Sequence, residues 1–416
     1  MKRARLALPL TVLALIAVPL WWAWPAQVAG WRGGGILLGW LGYGFLFASL
    51  VCMMREPVLA RWFGGLERMV LWHHVLGVLA YVLLLAHPLA LAAAYWRQQP
   101  AFAWAVLSPA QQDAAGVLGW LALLSLMIGL AVAFSRRLPY AAWRWLHGLL
   151  ALSVPLGLAH LVALGITDAL LWMPVLALAV LLARVVRADV GLGAVPHVVG
   201  DVVRPARDIV EVTLRPMAQP VSARPGQFIL VAFFDGPRFR GCHEFHPFTL
   251  THIGADGTLK VGIKALGDCT RHIQSIEPGV AARVQGPFGD FGAIDANRPA
   301  LWIAGGIGIA PFMALLRGAP LGSPVTLVYL YQAQADAAYR DELGQLAAAQ
   351  PALSVREVAA GGAPPDLGAI LPPAEALAGR SCLLCGPPGM VDSALRVLTA
   401  RGVPASSIHY ERFDFR

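Results

Sequence analysis

Hydrophobic and polar positions are unevenly distributed along this 416-residue chain. Up to about residue 188 long apolar runs dominate, with few polar interruptions. Beyond it, apolar and polar positions alternate over short stretches, and Gly and Pro punctuate them. A bilayer core of ~30 Å needs about 20 helical residues to cross it. Six runs meet that length and predict spanning helices over Leu6–Trp24, Gly34–Met54, Val70–Trp96, Ala115–Phe134, Tyr140–Leu164 and Ala169–Val186. The first follows the basic start "MKRAR", as a cleaved leader would. Its apolar run is too long for a leader core and no A-x-A site follows, so it reads as a retained helix.

The second half carries a different pattern. Residues 196–297 contain β-rich runs such as "DIVEVTLRP" and "QFILVAFF", separated by Gly- and Pro-containing turns, which predicts a small antiparallel barrel. From 298 the period changes. "ALWIAGGIGIAPFMALL" reads as strand, glycine-rich turn and helix; "VTLVYLYQAQ" as a strand; "RDELGQLAAA" as a helix; "SCLLCGPPGMVDSALRVL" as strand, turn and helix. Such alternation predicts a parallel sheet with ligands at the carboxyl ends of its strands. The fold class expected is therefore a multidomain membrane protein. It comprises a six-helix transmembrane bundle over 1–188, an antiparallel β-barrel domain over 189–297 and an α/β parallel-sheet domain over 298–416.

Composition supports the division. The chain is 57% hydrophobic and 13% charged, too apolar for a soluble globular protein. Its formal net charge is +8. Lys2, Arg3, Arg5, Arg55, Arg61, Arg68, Arg136, Arg137, Arg144, Arg184 and Arg187 fall on one side of the predicted spans, and Arg32 and Arg97 on the other. That bias places the N-terminus and the soluble part in the cytoplasm of a bacterial-type inner membrane. No basic patch interleaved with aromatics points to nucleic acid.

Five of the eleven histidines lie in the apolar half: His73, His74, His87, His147 and His160. His73 and His87 are 14 positions apart on the third span, about four helical turns and ~21 Å, so they share a face. His147 and His160 are 13 apart on the fifth span, which runs in the same direction. Two pairs at matched depth suggest bis-histidine ligation of two haems. Thirteen residues is about 3.6 turns, which separates the faces of His147 and His160 on a regular helix; Pro155 lies between them as a source of a phase shift. His74 is a rival to His73, and the 14-residue spacing favours His73.

The segments "LWHHVLGV…LLLAHPLAL" and "WRWLHGLLALSVPLGLAHLVALG" resemble the ferric-reductase-like transmembrane domain shared by NADPH oxidases and ferric-chelate reductases, over about residues 38–187. That resemblance implies two b-type haems held by His73, His87, His147 and His160. The soluble half resembles the ferredoxin–NADP reductase superfamily, on "HPFTL" (His246–Leu250), "IKALGDCT" (Ile263–Thr270), "GPFGDF" (Gly286–Phe291) and the turns from 298 onward. This second resemblance implies FAD on His246, Pro247, Phe248 and Thr249, with Phe248 against the isoalloxazine, Thr249 near its N5 and His246 near the pyrophosphate. An Arg is commoner at the His246 position in soluble members; a His is typical of the NADPH oxidase branch. Lys264, Gly267 and Thr270 join the flavin set, with Gly267 and Thr270 on its phosphates. Gly305, Gly306, Gly308 and Pro311 would cradle the nicotinamide dinucleotide, and Cys385, Gly386 and Pro387 would flank its nicotinamide. The chain closes with "YERFDFR", where Phe415 is the candidate aromatic cover for the flavin and Phe413 a packing residue. Ordinary strand packing is the alternative for both. Thr249, Cys385 and Phe415 are the residues expected closest to the chemistry.

The five cysteines, at 52, 242, 269, 382 and 385, read as unpaired thiols in a reducing compartment. Cys382-x-x-Cys385 is read as a strand residue and a turn residue, not as a redox dithiol, and no second CxxC exists to complete a zinc site. No nucleophile–base motif appears.

The expected activity joins these parts. NAD(P)H gives a hydride, flavin divides it into single electrons, and two haems pass them outward. The external acceptor expected is O₂, giving superoxide. The alternatives are a ferric chelate or other metal, or a periplasmic partner protein docking near "AFAWAVL" (Ala101–Leu107). At the end of the second strand stands Gln332, with neither an Arg for a 2′-phosphate nor an acid for a ribose, and Arg340 belongs to the next helix; weak discrimination between NADPH and NADH is expected.

Overall fold

The computed structural model describes residues 14, 17, 18, 21 and 30–412, other than 136, 137, 139, 168 and 292–297. The chain divides into two compact units, Met1–Leu192 and Gly193–Arg416.

In the first unit four helices are long and apolar enough to cross a membrane: Gly30–Val51, Leu66–Ala93, Ala114–Ala133 and the nearly continuous Ala142–Ala163. We label Gly30–Val51 α1, Leu66–Ala93 α2, Ala114–Ala133 α3, Tyr140–Gly148 α4, Ser153–Ala163 α5 and Trp172–Arg184 α6. Four such spans stand among the described residues, where six were expected over the whole chain. The expected first span falls almost wholly outside those residues. The expected sixth, Ala169–Val186, is a 3-10 turn, the 13-residue α6 and a π-turn over Val185–Asp189, so its regular α-helix is shorter than the bilayer core.

Helix α1 packs along α2, and α3 along α5. Glycine makes the first contact close. A Cβ added at Gly35, Gly39 or Gly42 of α1 would lie 2.8 Å from Leu91, 2.9 Å from His87 or 2.7 Å from Leu84, respectively. These positions, four and three apart, form a small-residue stripe of the kind that lets apolar helices approach backbone to backbone. Gly129 on α3 does the same against Leu150, at 2.3 Å. Between α4 and α5 the backbone tightens into a 3-10 turn over Leu149–Leu152. Pro155 lacks the N–H that a regular helix would return to Ala151, and the Ser153 hydroxyl donates to the Leu150 carbonyl at 2.6 Å within the turn.

The second unit begins with a closed antiparallel barrel of six strands in the order β1-β2-β5-β4-β3-β6. Their ranges are β1 Val195–Ala206, β2 Ile209–Pro216, β3 Phe228–Phe233, β4 His246–Ile253, β5 Leu259–Lys264 and β6 Ala281–Phe288, with the short helix α7, Asp268–Ile273, following β5. Ile229, Val231, Leu250, Val261 and Ile263 fill its interior. A five-stranded parallel sheet follows, in the order β11-β10-β7-β8-β9. It contains β7 Ala300–Gly305, α8 Ala310–Gly318, β8 Val325–Tyr331, α9 Arg340–Ala349, β9 Leu353–Ala359, β10 Ser381–Gly386, α10 Pro388–Ala400 and β11 Ile408–Arg412. Both faces of this sheet are buried, so β7 and β10 read as continuous apolar runs instead of alternating ones.

One expectation about cysteine is overturned. Cys242 and Cys269 form a disulfide with Cα atoms 5.9 Å apart. It joins the loop before β4 to the first turn of α7. The sequence separation of 27 gave no hint that barrel closure brings these two segments together. Cys52, Cys382 and Cys385 are buried and form no disulfide.

Candidate functional site

The membrane unit brings together the histidines singled out by spacing. His73, His87, His147 and His160 are half-buried within it, whereas His74 is exposed, its ring 5.7 Å from that of His73. The His73 and His147 rings lie 6.3 Å apart, nearly perpendicular. Trp143 stacks on His147 one turn earlier, at 4.9 Å.

Three of these rings are fixed through Nδ1. His87 Nδ1 is 2.7 Å from the Gly35 carbonyl and His160 Nδ1 is 2.7 Å from the Ala115 carbonyl. His73 Nδ1 lies 3.2 Å from the Ser49 carbonyl and 2.8 Å from the Ser49 hydroxyl, which itself donates to the His73 carbonyl at 3.1 Å. A carbonyl can only accept, so Nδ1 carries the proton in all three rings and Nε2 presents a bare lone pair. Among the described residues no hydrogen bond is made by those Nε2 atoms. This is the tautomer that a metal-ligating imidazole requires. Gly39 and Gly119 complete the seats, because a Cβ there would meet Nδ1 of His87 at 2.9 Å and of His160 at 3.0 Å.

The 3-10 turn also resolves the awkward 13-residue spacing. Four residues at about 120° each and nine at about 100° bring His160 to within about 60° of the His147 face, instead of about 140° away.

In the barrel, His246, Pro247, Phe248 and Thr249 open β4, paired with β3 through Val231, Leu230, Ile229 and Phe228. His246 Nε2 faces the Glu244 carboxylate at 3.7 Å. Phe248 is turned into the barrel core, with its ring 6.4 Å from Phe233. Thr249 is buried on the opposite face. Gly267 has open space around its Cα and begins α7. The Thr270 hydroxyl caps that turn, accepting from the Gly267 N–H at 2.8 Å and the Leu266 N–H at 2.9 Å.

In the sheet, the two predicted dinucleotide turns touch each other. A Cβ on Gly308 would lie 2.1 Å from the Cys385 carbonyl, and one on Gly305 would lie 2.5 Å from Met390 Sδ and 3.0 Å from Pro387. Gly386, at φ 158°, lies against the Gly305 backbone. Only glycine permits this approach of the carboxyl ends of β7 and β10. Gly306, at φ 54°, faces the Lys264 ammonium from β5, and Pro311 sits buried in the first turn of α8, where a missing N–H costs nothing. Gly305, Gly306, Gly308, Cys385, Gly386 and Lys264 are thus brought together at one end of the sheet. At the end of β8, Gln332 accepts from the Gly362 N–H at 3.0 Å, and Arg340 is paired with Glu357 at 2.6 Å. The predicted Phe413 and Phe415 lie outside the described residues.

The sequence reading missed one cluster. Arg317, at the end of α8, donates to Glu211 on β2 at 2.8 Å, to the Thr251 carbonyl at 3.1 Å and to both oxygens of Glu342 at 2.7 and 2.6 Å. Its guanidinium also lies 5.0 Å from the centre of the Tyr339 ring. Burial alone would raise the Glu211 carboxyl, but the hydrogen bond and charge of Arg317, with the Thr251 hydroxyl, hold it below its ordinary value. The residues are far apart in sequence, and only the fold of this unit reveals them. The carbonyl partners of the histidines were also missed. They did leave a signal: Gly35 and Ser49 stand 14 apart, as His73 and His87 do.

The chain thus joins a membrane unit with paired, tautomer-locked histidines to a barrel followed by a glycine-turned parallel sheet. Residues 38–158 match the family described as ferric reductase like transmembrane component, and residues 198–285 match an FAD-binding domain. A ferric reductase-like transmembrane component thus precedes an FAD-binding domain along the chain. The chain is 30% identical over 215 residues to the ferredoxin–NAD(P)⁺ reductase component of naphthalene 1,2-dioxygenase/salicylate 5-hydroxylase systems from Ralstonia sp, covering 47% of this chain and 62% of the relative. It is 28% identical over 201 residues to a toluate 1,2-dioxygenase electron transfer component from Pseudomonas putida, covering 45% of this chain and 58% of the relative. The chain thus spans less than two thirds of the length of these curated relatives. Among solved structures, the FAD/NAD-binding domain of nitric oxide dioxygenase from Vibrio cholerae is similar over 53% of this chain and 98% of its own, with 22% identity and a TM-score of 0.45.

Proposed function

We propose that this protein carries electrons from NAD(P)H through FAD and two bis-histidine haems across the inner membrane to an acceptor on the outer side, with O₂, giving superoxide, as that acceptor. The observation that supports this most directly is the locked tautomer of His73, His87 and His160, each presenting Nε2 without a hydrogen-bond partner. When bound, FAD accepts a hydride and releases electrons singly, and haem carries them one at a time.

In this reading His73 with His147, and His87 with His160, hold the two haems. His246, Pro247, Thr249, Lys264, Gly267 and Thr270 form the flavin cradle, with Phe415 as its cover; Phe248, expected against the isoalloxazine, is turned into the barrel core and supports the strand from behind. Gly305, Gly306, Gly308, Pro311, Cys385, Gly386 and Pro387 hold the nicotinamide dinucleotide. Lys264 adds a positive charge beside the glycine turn for a phosphate. The ion pair between Arg340 and Glu357 leaves the end of β8 without a dedicated 2′-phosphate ligand, which favours use of both NADPH and NADH. The three domains are 1–188, 189–297 and 298–416, with the second and third in the cytoplasm. A ferric chelate is the second reading of the acceptor, on the description of the family matched by residues 38–158.

The test is anaerobic reduction of detergent-purified protein by NADPH with FAD, followed by absorbance, then reoxidation. Prompt reoxidation in air with superoxide formed supports the oxidase reading. Haem that stays reduced in air but reoxidises with ferric chelate replaces it by a metal reductase. Slow reoxidation by both replaces it by donation to a periplasmic protein. Protein that binds no haem overturns the transmembrane route.

A further inference from the structure

The Cys242–Cys269 bridge stands in a unit proposed above to lie in the cytoplasm. Thiols are kept reduced there, and the disulfides that do form are mostly transient and redox-sensing. Cys242 and Cys269 are both partly exposed, so a small thiol can reach them, whereas Cys52, Cys382 and Cys385 are buried.

The segment 234–245 between β3 and β4 is anchored in two parts. Its first part is fixed without the bridge. Phe239 is 1% exposed, and its ring stacks on His272 near the end of α7 at 5.3 Å. Arg238 donates to the Glu277 carboxylate through its backbone N–H at 2.8 Å and its Nε at 3.1 Å. The second part bonds backward, toward the end of β3. The Gly241 N–H and His243 Nε2 lie 2.9 and 3.2 Å from the exposed Asp235 carboxylate, and the His243 N–H donates to the Phe233 carbonyl at 3.2 Å. None of these contacts reaches the first turn of α7; the bridge does. Its two ends fall beside the two sides of the proposed flavin cradle. Cys242 is four residues before His246, and Cys269 lies between Gly267 and Thr270, whose hydroxyl shapes that turn.

We propose that Cys242 and Cys269 are a reversible oxidation site, closed by a low-molecular-weight disulfide, and that the closed bridge holds the Gly267–Thr270 turn against the entry to β4 so that the oxidised protein binds FAD more tightly than the reduced one. The flavin part rests on the reading above. Closing joins the two sulfurs and gives up two electrons and two protons; the small disulfide takes them, its own S–S bond breaks, and it leaves as two thiols. Opening is the reverse. The coupling is reciprocal: whatever factor the bridge adds to FAD affinity, bound FAD adds to the closing equilibrium.

The experiment equilibrates the detergent-purified full chain in buffers of graded glutathione to glutathione disulfide ratio. The closed fraction is read by thiol alkylation and peptide mass, and FAD affinity by flavin fluorescence titration, for wild type and the Cys242→Ser/Cys269→Ser double variant. The bridge is expected to open and close within the range of the buffers. Opening weakens FAD binding about tenfold, a size typical of coupled sites, and saturating FAD shifts the closing equilibrium by the same factor. The double variant binds FAD as reduced wild type does and ignores the buffer. A bridge that no ratio opens is a fixed structural bond and overturns the proposal, as does one that no ratio closes. Equal FAD affinity in the open and closed protein also overturns it, and leaves the flavin reading intact. Protein that takes up no FAD in either state removes both. If the double variant fails to accumulate, the wild type still decides, because the reciprocal shift with FAD needs no substitution.

Discussion

His87 in the membrane unit and Arg317 in the soluble unit are both polar side chains held inside an apolar setting. His87 meets a single neutral carbonyl at 2.7 Å. Arg317 meets two carboxylates and a carbonyl, with its side chain 12% exposed and that of Glu211 7% exposed. The difference follows from the solvent on the far side of each unit. In lipid a charge pair is costly, while a helix carbonyl already bonded along its own helix has a second lone pair to offer. In the soluble unit water lies close to Glu342, and a charged network can be completed at its edge. One region holds an imidazole without any charge; the other ties the glycine-turn helix α8 to the barrel with three charges.

The comparison can be broken at either end. The largest effect is expected from His87→Ala, which removes one haem ligand and abolishes reduction of an external acceptor while NAD(P)H-to-dye activity persists. Haem content and both activities check it, and full external reduction would show that His87 is not a ligand. Gly308→Ala should do the reverse. Its Cβ would collide with the Cys385 carbonyl at 2.1 Å, so dye reduction should fall by about tenfold or more, with haem content unchanged. Arg317→Ala leaves Glu211 as an unpaired buried carboxylate. A loss of about 3 kcal/mol is expected, read as a midpoint roughly 6–12 °C lower in thermal unfolding of the soluble unit. A drop no larger than that of an exposed Arg→Ala control, such as Arg238→Ala, would mean the network contributes little.

The same carboxylate gives a pH dependence. Its value is lowered in the folded state, so its stabilisation is fully present above the ordinary carboxylate range, about 4.3. It is lost as pH falls through the lower folded value. The stability gap between wild type and Glu211→Gln should be constant at neutral pH and close below about pH 4; a gap that widens on acidification would reverse the sign. The smallest effect is expected from His74→Ala, whose ring is exposed on α2: haem content should not change. Loss of half the haem would move the ligand from His73 to His74.

The parts of this molecule that sequence made legible are those with a period. Spans two to five, the barrel and the parallel sheet all follow from runs and alternation, and the four histidines follow from a repeat of 14 and 13. What was hidden depends on contacts between distant segments. The Cys242–Cys269 bridge forms because barrel closure places the loop before β4 beside α7. The Arg317 network assembles residues from β2, β4, α8 and α9. Ser49 carried no mark of its own, since a lone serine in an apolar helix usually returns its hydroxyl to its own backbone. Here it reaches across to α2 instead. The α6 region departed from expectation because apolar composition alone does not fix helix type, and its end unwinds into a π-turn.

The 3-10 turn over Leu149–Leu152 has a consequence for distance as well as direction. A 3-10 residue rises about 2.0 Å against about 1.5 Å for an α residue, so the 13 steps from His147 to His160 span about 21.5 Å. Fourteen regular α-helical steps from His73 to His87 span about 21 Å. A stretched turn thus makes a chain one residue shorter measure the same length as its partner, and two unequal rulers are cut to one depth.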